Sequence, residues 1–345
     1  MQSNCKTITI RQPDDWHTHL RDDAYLARTV LDTEKQFARA IVMPNLTQPI
    51  TTLAQAVAYR DRILSHITSR FTPLMTLYLI ESMHPNIIVD AKKSGVITAC
   101  KYYPAHATTH SDAGITDIKK IYPLLEAMQA CDLPLCIHGE SIQAGVDIFD
   151  REKIFLDTVK MMQRDFPKLR MILEHISTKA AVDFILAAQN NIAATITPHH
   201  LHYNRNDLFD RGIRPHYFCT PILKCHSDQA ALMQVATSGN PKFFLGTDSA
   251  PHSQAKKESA CGCAGIYSAH AALALYADIF EKNNALDRFE NFASRFGAEF
   301  YQLPLNSEKI TLVKKPWKIP DYLSFGDAKL IPMKAGEMLA WQIQS

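Results

Sequence analysis

No apolar run in the 345 residues is long enough to span a bilayer. Pieces such as LPLCI and RMIL are short, against the roughly 20 residues that a membrane helix needs. The opening MQSNCKTITIRQPDDW lacks the apolar core of a secretory leader, so the expectation is a cytoplasmic protein with no membrane partner. An excess of one charge is missing as well. With 37 Lys+Arg against 35 Asp+Glu, the formal charge is +2, which gives no broad electrostatic footprint for nucleic acid. A small-molecule substrate is expected instead. The eight cysteines do not form the dense framework of a small secreted domain, and the close pair Cys261-Gly-Cys263 lacks the two-residue gap of a redox or zinc knuckle. We read them as reduced thiols. No glycine-rich turn follows the first apolar run, which argues against a dinucleotide fingerprint. No linker rich in Gly, Ser or Pro divides the chain.

What is present is a repeated unit. Short apolar, β-branched runs occur at ITIRQPDDWHTH, RAIVMPN, TPLMTLYLI, VITACKYYP, LPLCIHGE, LRMILEHIS, AATITPHH and KFFLGTDSAPH. Between them lie stretches such as TTLAQAVAYRDRILSHI, REKIFLDTVKMMQRDF and SAHAALALYADIFEKN, whose apolar residues recur at three- and four-residue steps. Eight strand-helix units predict a single α/β domain, a (β/α)8 barrel of the TIM type, over residues 1–345. The stretch from about 307 to 345 has more prolines and short strand-like pieces, and reads as an appendage packed on the barrel. A chain this long buries roughly 75% of its unfolded surface, so no metal is needed to hold its core. Any metal site is therefore functional.

The polar residues fall at strand ends. His17 and His19 close the first run, Lys101 the fourth, His138 the fifth, His175 the sixth and Asp248 the eighth. In a barrel the C-terminal strand ends converge on one pocket, so residues far apart in sequence meet there. Side chains two apart on a strand share a face, which aims His17 and His19 together. Four imidazoles and a carboxylate suit Zn²⁺, with Co²⁺ or Mn²⁺ as substitutes. Lys101 is the odd member, since an ammonium beside cations is electrostatically unfavourable and its strand offers no carboxylate. A desolvated neutral amine can instead add CO₂ and lose a proton, giving a carbamate with two oxygens able to bridge ions about 3.5–4 Å apart.

Six motifs carry a resemblance: Asp15-Trp-His-Thr-His-Leu-Arg21, Val42-Met-Pro-Asn45, Lys101-Tyr-Tyr-Pro104, His138-Gly-Glu140, Glu174-His-Ile-Ser177 and Gly246-Thr-Asp-Ser-Ala-Pro-His252, followed by Cys261-Gly-Cys-Ala-Gly265. Over nearly its whole length the chain resembles the dihydroorotases of the amidohydrolase superfamily, in their shorter, bacterial-type class. The resemblance implies the reversible interconversion of N-carbamoyl-L-aspartate and (S)-dihydroorotate in pyrimidine (UMP) biosynthesis, and a homodimer. It implies two Zn²⁺ per subunit: His17, His19 and Asp248 on one, His138 and His175 on the other, with N6-carboxylated Lys101 and a hydroxide between them. It also implies substrate binding by Arg21, Asn45, Thr220, His252 and Ala264, and by Thr108 and Thr109 on a loop after the fourth strand. Asp248 is the implied catalytic proton carrier. Two positions depart from the family's pattern. His106 stands where Asn is usual, and Thr220 stands where Leu is usual, so that a backbone contact is expected of it.

Other readings stay open at this stage. A hydantoinase or allantoinase would share the metal ligands, and Arg21, Asn45 and His252 are what argue against it. A mononuclear deaminase has no use for Lys101. A barrel retained as an inactive scaffold would show lost ligands, yet all six are present. His199, His200 and His202 read as a solvated loop, Lys256-Lys-Glu258 as an exposed one, and Trp16, Phe149 and Met161-Met162 as packing.

Overall fold

The computed structural model describes residues 6–260 and 262–344. Cys261 of the Cys261–Gly265 motif, the opening residues 1–5 and Ser345 lie outside the described residues. The first apolar run is two strands rather than one. β1 (Thr7–Arg11) and β2 (Asp14–Thr18) are parted at Gln12-Pro13, where proline cannot donate to a ladder. Seven more strands follow β2: β3 (Arg39–Val42), β4 (Thr72–Tyr78), β5 (Ile97–Tyr102), β6 (Leu135–Ile137), β7 (Met171–Leu173), β8 (Ile192–Ile196) and β9 (Phe243–Leu245). The eight pair in sequence order, all parallel. A bridge between Thr18 and Ser249 joins the ends. Each strand is followed by a helix, from Leu26–Glu34 round to Ala272–Lys282. The expected (β/α)8 barrel is therefore the observed fold.

Three of the eight helices, Leu26–Glu34, Pro85–Ser94 and His226–Ala236, went unmarked in the apolar pattern. Local signals elsewhere are clear. Thr52 and Gln55 form a capping box that starts the helix Leu53–Leu64, an arrangement worth about 1 kcal/mol. No helix among the described residues is long and apolar enough to cross a membrane.

The barrel interior is built in layers by strand alternation. Trp16, Ile41, Ala99, Cys136, Ile172, Ala193 and Phe244 form one buried cluster, one residue from each of seven strands, with β4 adding the partly buried Leu74. Tyr301 closes it from below, stacked on Trp16 with ring centroids 4.6 Å apart. The helix Phe296–Phe300 approaches so closely that any Cβ at Gly297 would run into the Trp16 indole, so glycine is required there. Two residues further along β5 and β8 stand Lys101 and Thr195, and beyond the ends of β6, β7 and β9 stand His138, Glu174 and Gly246. The period of two that packs the core thus places the polar layer above it.

The residues after the barrel form β10 (Lys309–Lys318), β11 (Leu323–Phe325), β12 (Ala328–Leu330) and β13 (Met338–Ile343). β10 lies between β1 and β13 in an antiparallel sheet. The hairpin of β11 and β12 packs Phe325 against Tyr25 at 4.2 Å.

Candidate active site at the C-terminal strand ends

Asp15 anchors the pocket floor. Its carboxylate accepts from Thr247 N at 2.8 Å, Thr247 Oγ1 at 2.5 Å and His17 N at 3.2 Å, which sews β2 to the segment leaving β9. Burial pushes this carboxyl up to about 7 against the pull of the Thr247 hydrogen bonds. Above it the strand-end residues meet. His17 Nε2 and His19 Nε2 lie 3.3 and 3.0 Å from Asp248 Oδ1, and His138 Nδ1 lies 3.2 Å from His175 Nε2. The rings of His17 and His175 are 5.0 Å apart. His175 and Asp248 adopt left-handed backbone conformations, with φ of 42° and 43°, which turns both side chains inward just after their strands. Non-glycine residues rarely accept this, and where they do the site gains from it.

Lys101 is fully buried on β5, with Nζ 5.1 Å from the centroid of the Tyr103 ring and no hydrogen-bond partner among the described residues. Burial pushes its amine below the ordinary lysine range. Burial would raise the Asp248 carboxyl, but His17, His19 and His175 around it hold it well below the usual carboxylate range. The pocket thus sets an amine of lowered basicity near a carboxyl held as its anion. His17, His175 and Asp248 offer ligand atoms within 4.8 Å of one another. His175 Nδ1 joins Lys101 Nζ as a buried atom with no partner among the described residues. Buried polar groups normally find partners, so this donor set fits a metal centre.

Glu174 is the member whose role sequence reasoning missed. It accepts from His17 Nδ1 at 2.8 Å and Thr195 Oγ1 at 2.6 Å. Burial opposes its charge, yet the His17 imidazole and these hydrogen bonds hold it below the usual carboxylate range. The signal was available: Glu174 stands two residues after core-facing Ile172. It fixes the His17 ring so that Nε2 faces the pocket, as outer carboxylates do for ligand imidazoles. Glu140 Oε2 stands 2.7 Å from His138 Nε2.

The predicted substrate contacts surround this cluster. Arg21, with Nε on Pro251 O at 3.1 Å and Nη2 3.1 Å from His252 Nε2, turns inward rather than toward Asp22, which pairs with Arg62. His252 Nε2 also lies 2.9 Å from Ala264 O. Burial and then the Arg21 charge push this imidazole down to about 2, so it is neutral. The loop after β5 covers the mouth. Asn45 Nδ2 donates to Thr109 O at 3.0 Å, and Thr109 Oγ1 donates to Ala264 O at 3.3 Å. Thr220, expected to contribute backbone only, has its hydroxyl 2.7 Å from that of Thr108 and so latches the loop. His106 points away, exposed, with Nδ1 3.1 Å from Asp112 Oδ1.

Under the loop the inner cavity is about 20 Å³, lined among others by His17, His19, Arg21, Asn45, His138, His175 and Asp248. Outside it a vestibule of about 760 Å³ shares Arg21 and Thr109 with it and is also lined by His252. Two expectations are corrected. His199 and His200 are buried in the short helix Pro198–His202, and His202 Nε2 lies 2.9 Å from Leu275 O, so this is no solvated loop. Lys257 of Lys256-Lys-Glu258 is buried as well. In both cases the polar atoms lie against backbone that is distant in sequence, or, for His199, have no partner among the described residues.

Comparison with known proteins agrees with this geometry. The model of the amidohydrolase family matches residues 14–338. The chain is 61% identical over 343 residues to a dihydroorotase of Coxiella burnetii, covering 99% of each chain. The crystal structure of Saccharomyces cerevisiae dihydroorotase with 5-fluoroorotic acid superposes with a TM-score of 0.91 at 35% identity, over 98% of both chains. That of Campylobacter jejuni dihydroorotase also gives 0.91, at 34% identity, over 100% of this chain and 99% of the other. A barrel whose polar residues meet at the C-terminal strand ends, matched along its length by these relatives, is a cyclic amidohydrolase. The chain belongs to the amidohydrolase family and, within it, to the dihydroorotases.

Proposed function

We propose that this protein catalyses the reversible interconversion of N-carbamoyl-L-aspartate and (S)-dihydroorotate in pyrimidine biosynthesis, acting in the cytoplasm as a homodimer. The observation that carries the reading is the convergence of His17, His175 and Asp248 beside a fully buried Lys101 with no hydrogen-bond partner among the described residues, with Arg21 turned into the same cavity. His17, His19 and Asp248 would hold one Zn²⁺ and His138 and His175 the other, with Lys101, carboxylated at Nζ, common to both; Co²⁺ or Mn²⁺ would substitute. When bound, such a pair supplies an activated water at neutral pH and polarises the amide carbonyl.

The chain's own residues do the rest. The Arg21 fork grips the substrate carboxylate, because a guanidinium binds carboxylates bidentately, and Asn45, His252 and Ala264 complete its seat. Asp248 takes the proton of the attacking water and delivers it to the departing ring nitrogen. Glu174 keeps the His17 ring oriented. Thr108 and Thr109 exclude solvent from the reacting carbonyl. A cavity of about 20 Å³ holds no more than a water or so, so the loop lifts to admit substrate and closes over it.

Metal analysis and turnover on one purified sample test the reading. Two zinc ions per chain, hydrolysis of dihydroorotate and a light-scattering mass of twice the chain are expected. A metal-replete sample inert toward dihydroorotate would sink it.

Arg21→Met should retain both metals and raise KM for dihydroorotate on the order of 10–100-fold, which corresponds to the roughly 1.5–3 kcal/mol of a charge-assisted hydrogen bond. An unchanged KM would take Arg21 out of carboxylate recognition. Replacing both loop hydroxyls, Thr108→Ala with Thr109→Val, should lower kcat by about 30-fold at full metal content, since two hydrogen bonds of about 1 kcal/mol each are lost. Wild-type kinetics would make the loop a mere connector.

A further inference from the structure

Lys257 lies in the short helical turn Gln254–Lys257, outside the metal cluster, and is 3% exposed. No carboxylate pairs with it among the described residues. Its ammonium donates instead to two carbonyls, Phe218 O at 2.7 Å and Gly265 O at 2.8 Å. Phe218 O also accepts from Gly265 N at 3.0 Å. The knot ties together two stretches far apart in sequence, one leading to Thr220 and the other containing Ala264. Those two residues are where the loop after β5 lands, Thr108 on Thr220 and Thr109 on Ala264. The Ala264–Gly265 stretch is itself tightly seated, since Gly265 has φ 146° and a Cβ there would come within 2.5 Å of Ala250 O.

We propose that Lys257 is a positioning residue for the reaction: its buried ammonium holds the platform on which the 104–114 loop closes over the substrate. The proposal rests on the reading of that loop given above. Burying an ammonium against carbonyls alone is unfavourable, and this burial pushes the amine down to about 8. A neutral aliphatic side chain would fill the space more cheaply. What lysine adds is three donors on one atom with no acceptor, which lets a single side chain grip carbonyls from two segments.

The test compares the metal-loaded wild type with Lys257→Met and Lys257→Arg by amide hydrogen exchange and steady-state kinetics. In Lys257→Met, exchange should accelerate together in residues 105–111, 218–220 and 262–266, while β5, β6 and the metal content are unchanged. The kcat for dihydroorotate should fall by about tenfold with a smaller change in KM, the signature expected when the loop hydroxyls are removed, and Lys257→Arg, which keeps charge and donors, should recover most of it. Combined with Thr109→Val, the effect should be much less than the product of the single effects, because both act on one closure. Acceleration confined to residues 254–260, or single effects that multiply, would overturn the proposal. If Lys257→Met does not fold, Lys257→Gln, which keeps N–H donors on a shorter arm, is read by the same exchange and cycle criteria. A wild type that does not turn over dihydroorotate would refute the function instead, and the exchange comparison would still decide the role of Lys257.

Discussion

Lys101→Ala should lose most of its bound metal and nearly all activity, with the barrel intact. The side chain is fully buried and makes no hydrogen bond among the described residues, so its removal breaks no polar network and leaves only a cavity. A structural lysine would give the opposite pattern, with stability lost and metal retained. If the carbamate is common to both ions, the loss should exceed the roughly 10–100-fold that follows removal of an outer partner of a metal ligand. Two ions per chain and wild-type turnover in the variant would reject the bridging role.

Asp248→Asn should depress hydrolysis and cyclisation alike, on the order of 10²–10⁴-fold, the span usual for a positioned acid–base group. Ring closure of N-carbamoyl-L-aspartate consumes a proton, since two carboxylates become one. Acid therefore favours the ring and alkali the open chain. The same carboxyl must be ionised to accept a proton during hydrolysis and protonated to return it during closure. Hydrolysis should rise with pH while cyclisation falls. Profiles that run in parallel, or an Asn variant that keeps metal and substantial turnover, would leave Asp248 a ligand only.

Much of this architecture was legible in the sequence because the barrel repeats one device. An apolar run ending in a chemically capable residue recurs at Lys101, His138, His175 and Asp248; strand alternation carries Lys101 and His138 from the core layer to the pocket, and left-handed turns just after their strands bring in His175 and Asp248. Legibility failed where burial is compensated from afar. Nothing around Lys257 announces that Phe218 and Gly265 will offer it carbonyls, and nothing around His200 announces Pro221 O, 3.0 Å from its Nε2. The role of Glu174 was missed for a different reason, although its spacing from core-facing Ile172 was visible. It stands beside His175, and two adjacent residues can both face the pocket only because His175 takes a left-handed turn, which local composition does not reveal. Thr220 shows the same limit, since its partner Thr108 is 112 residues away.

The pairing of β1 with β10 also sets a timetable for biosynthesis. Thr9 meets Thr311 across 302 residues, and a ribosome adding about 5–20 residues per second needs roughly 15–60 s to deliver that partner. Closing so long a loop is slow relative to pairing neighbouring strands. During that interval β1 presents unsatisfied backbone, a template for pairing with other nascent chains. Its outward residues, Thr7, Thr9 and Arg11, are polar, which keeps the waiting strand from being an apolar nucleus for aggregation. Pairing of β1 then becomes a late event relative to the closing of the barrel, since it waits for residues 309–313.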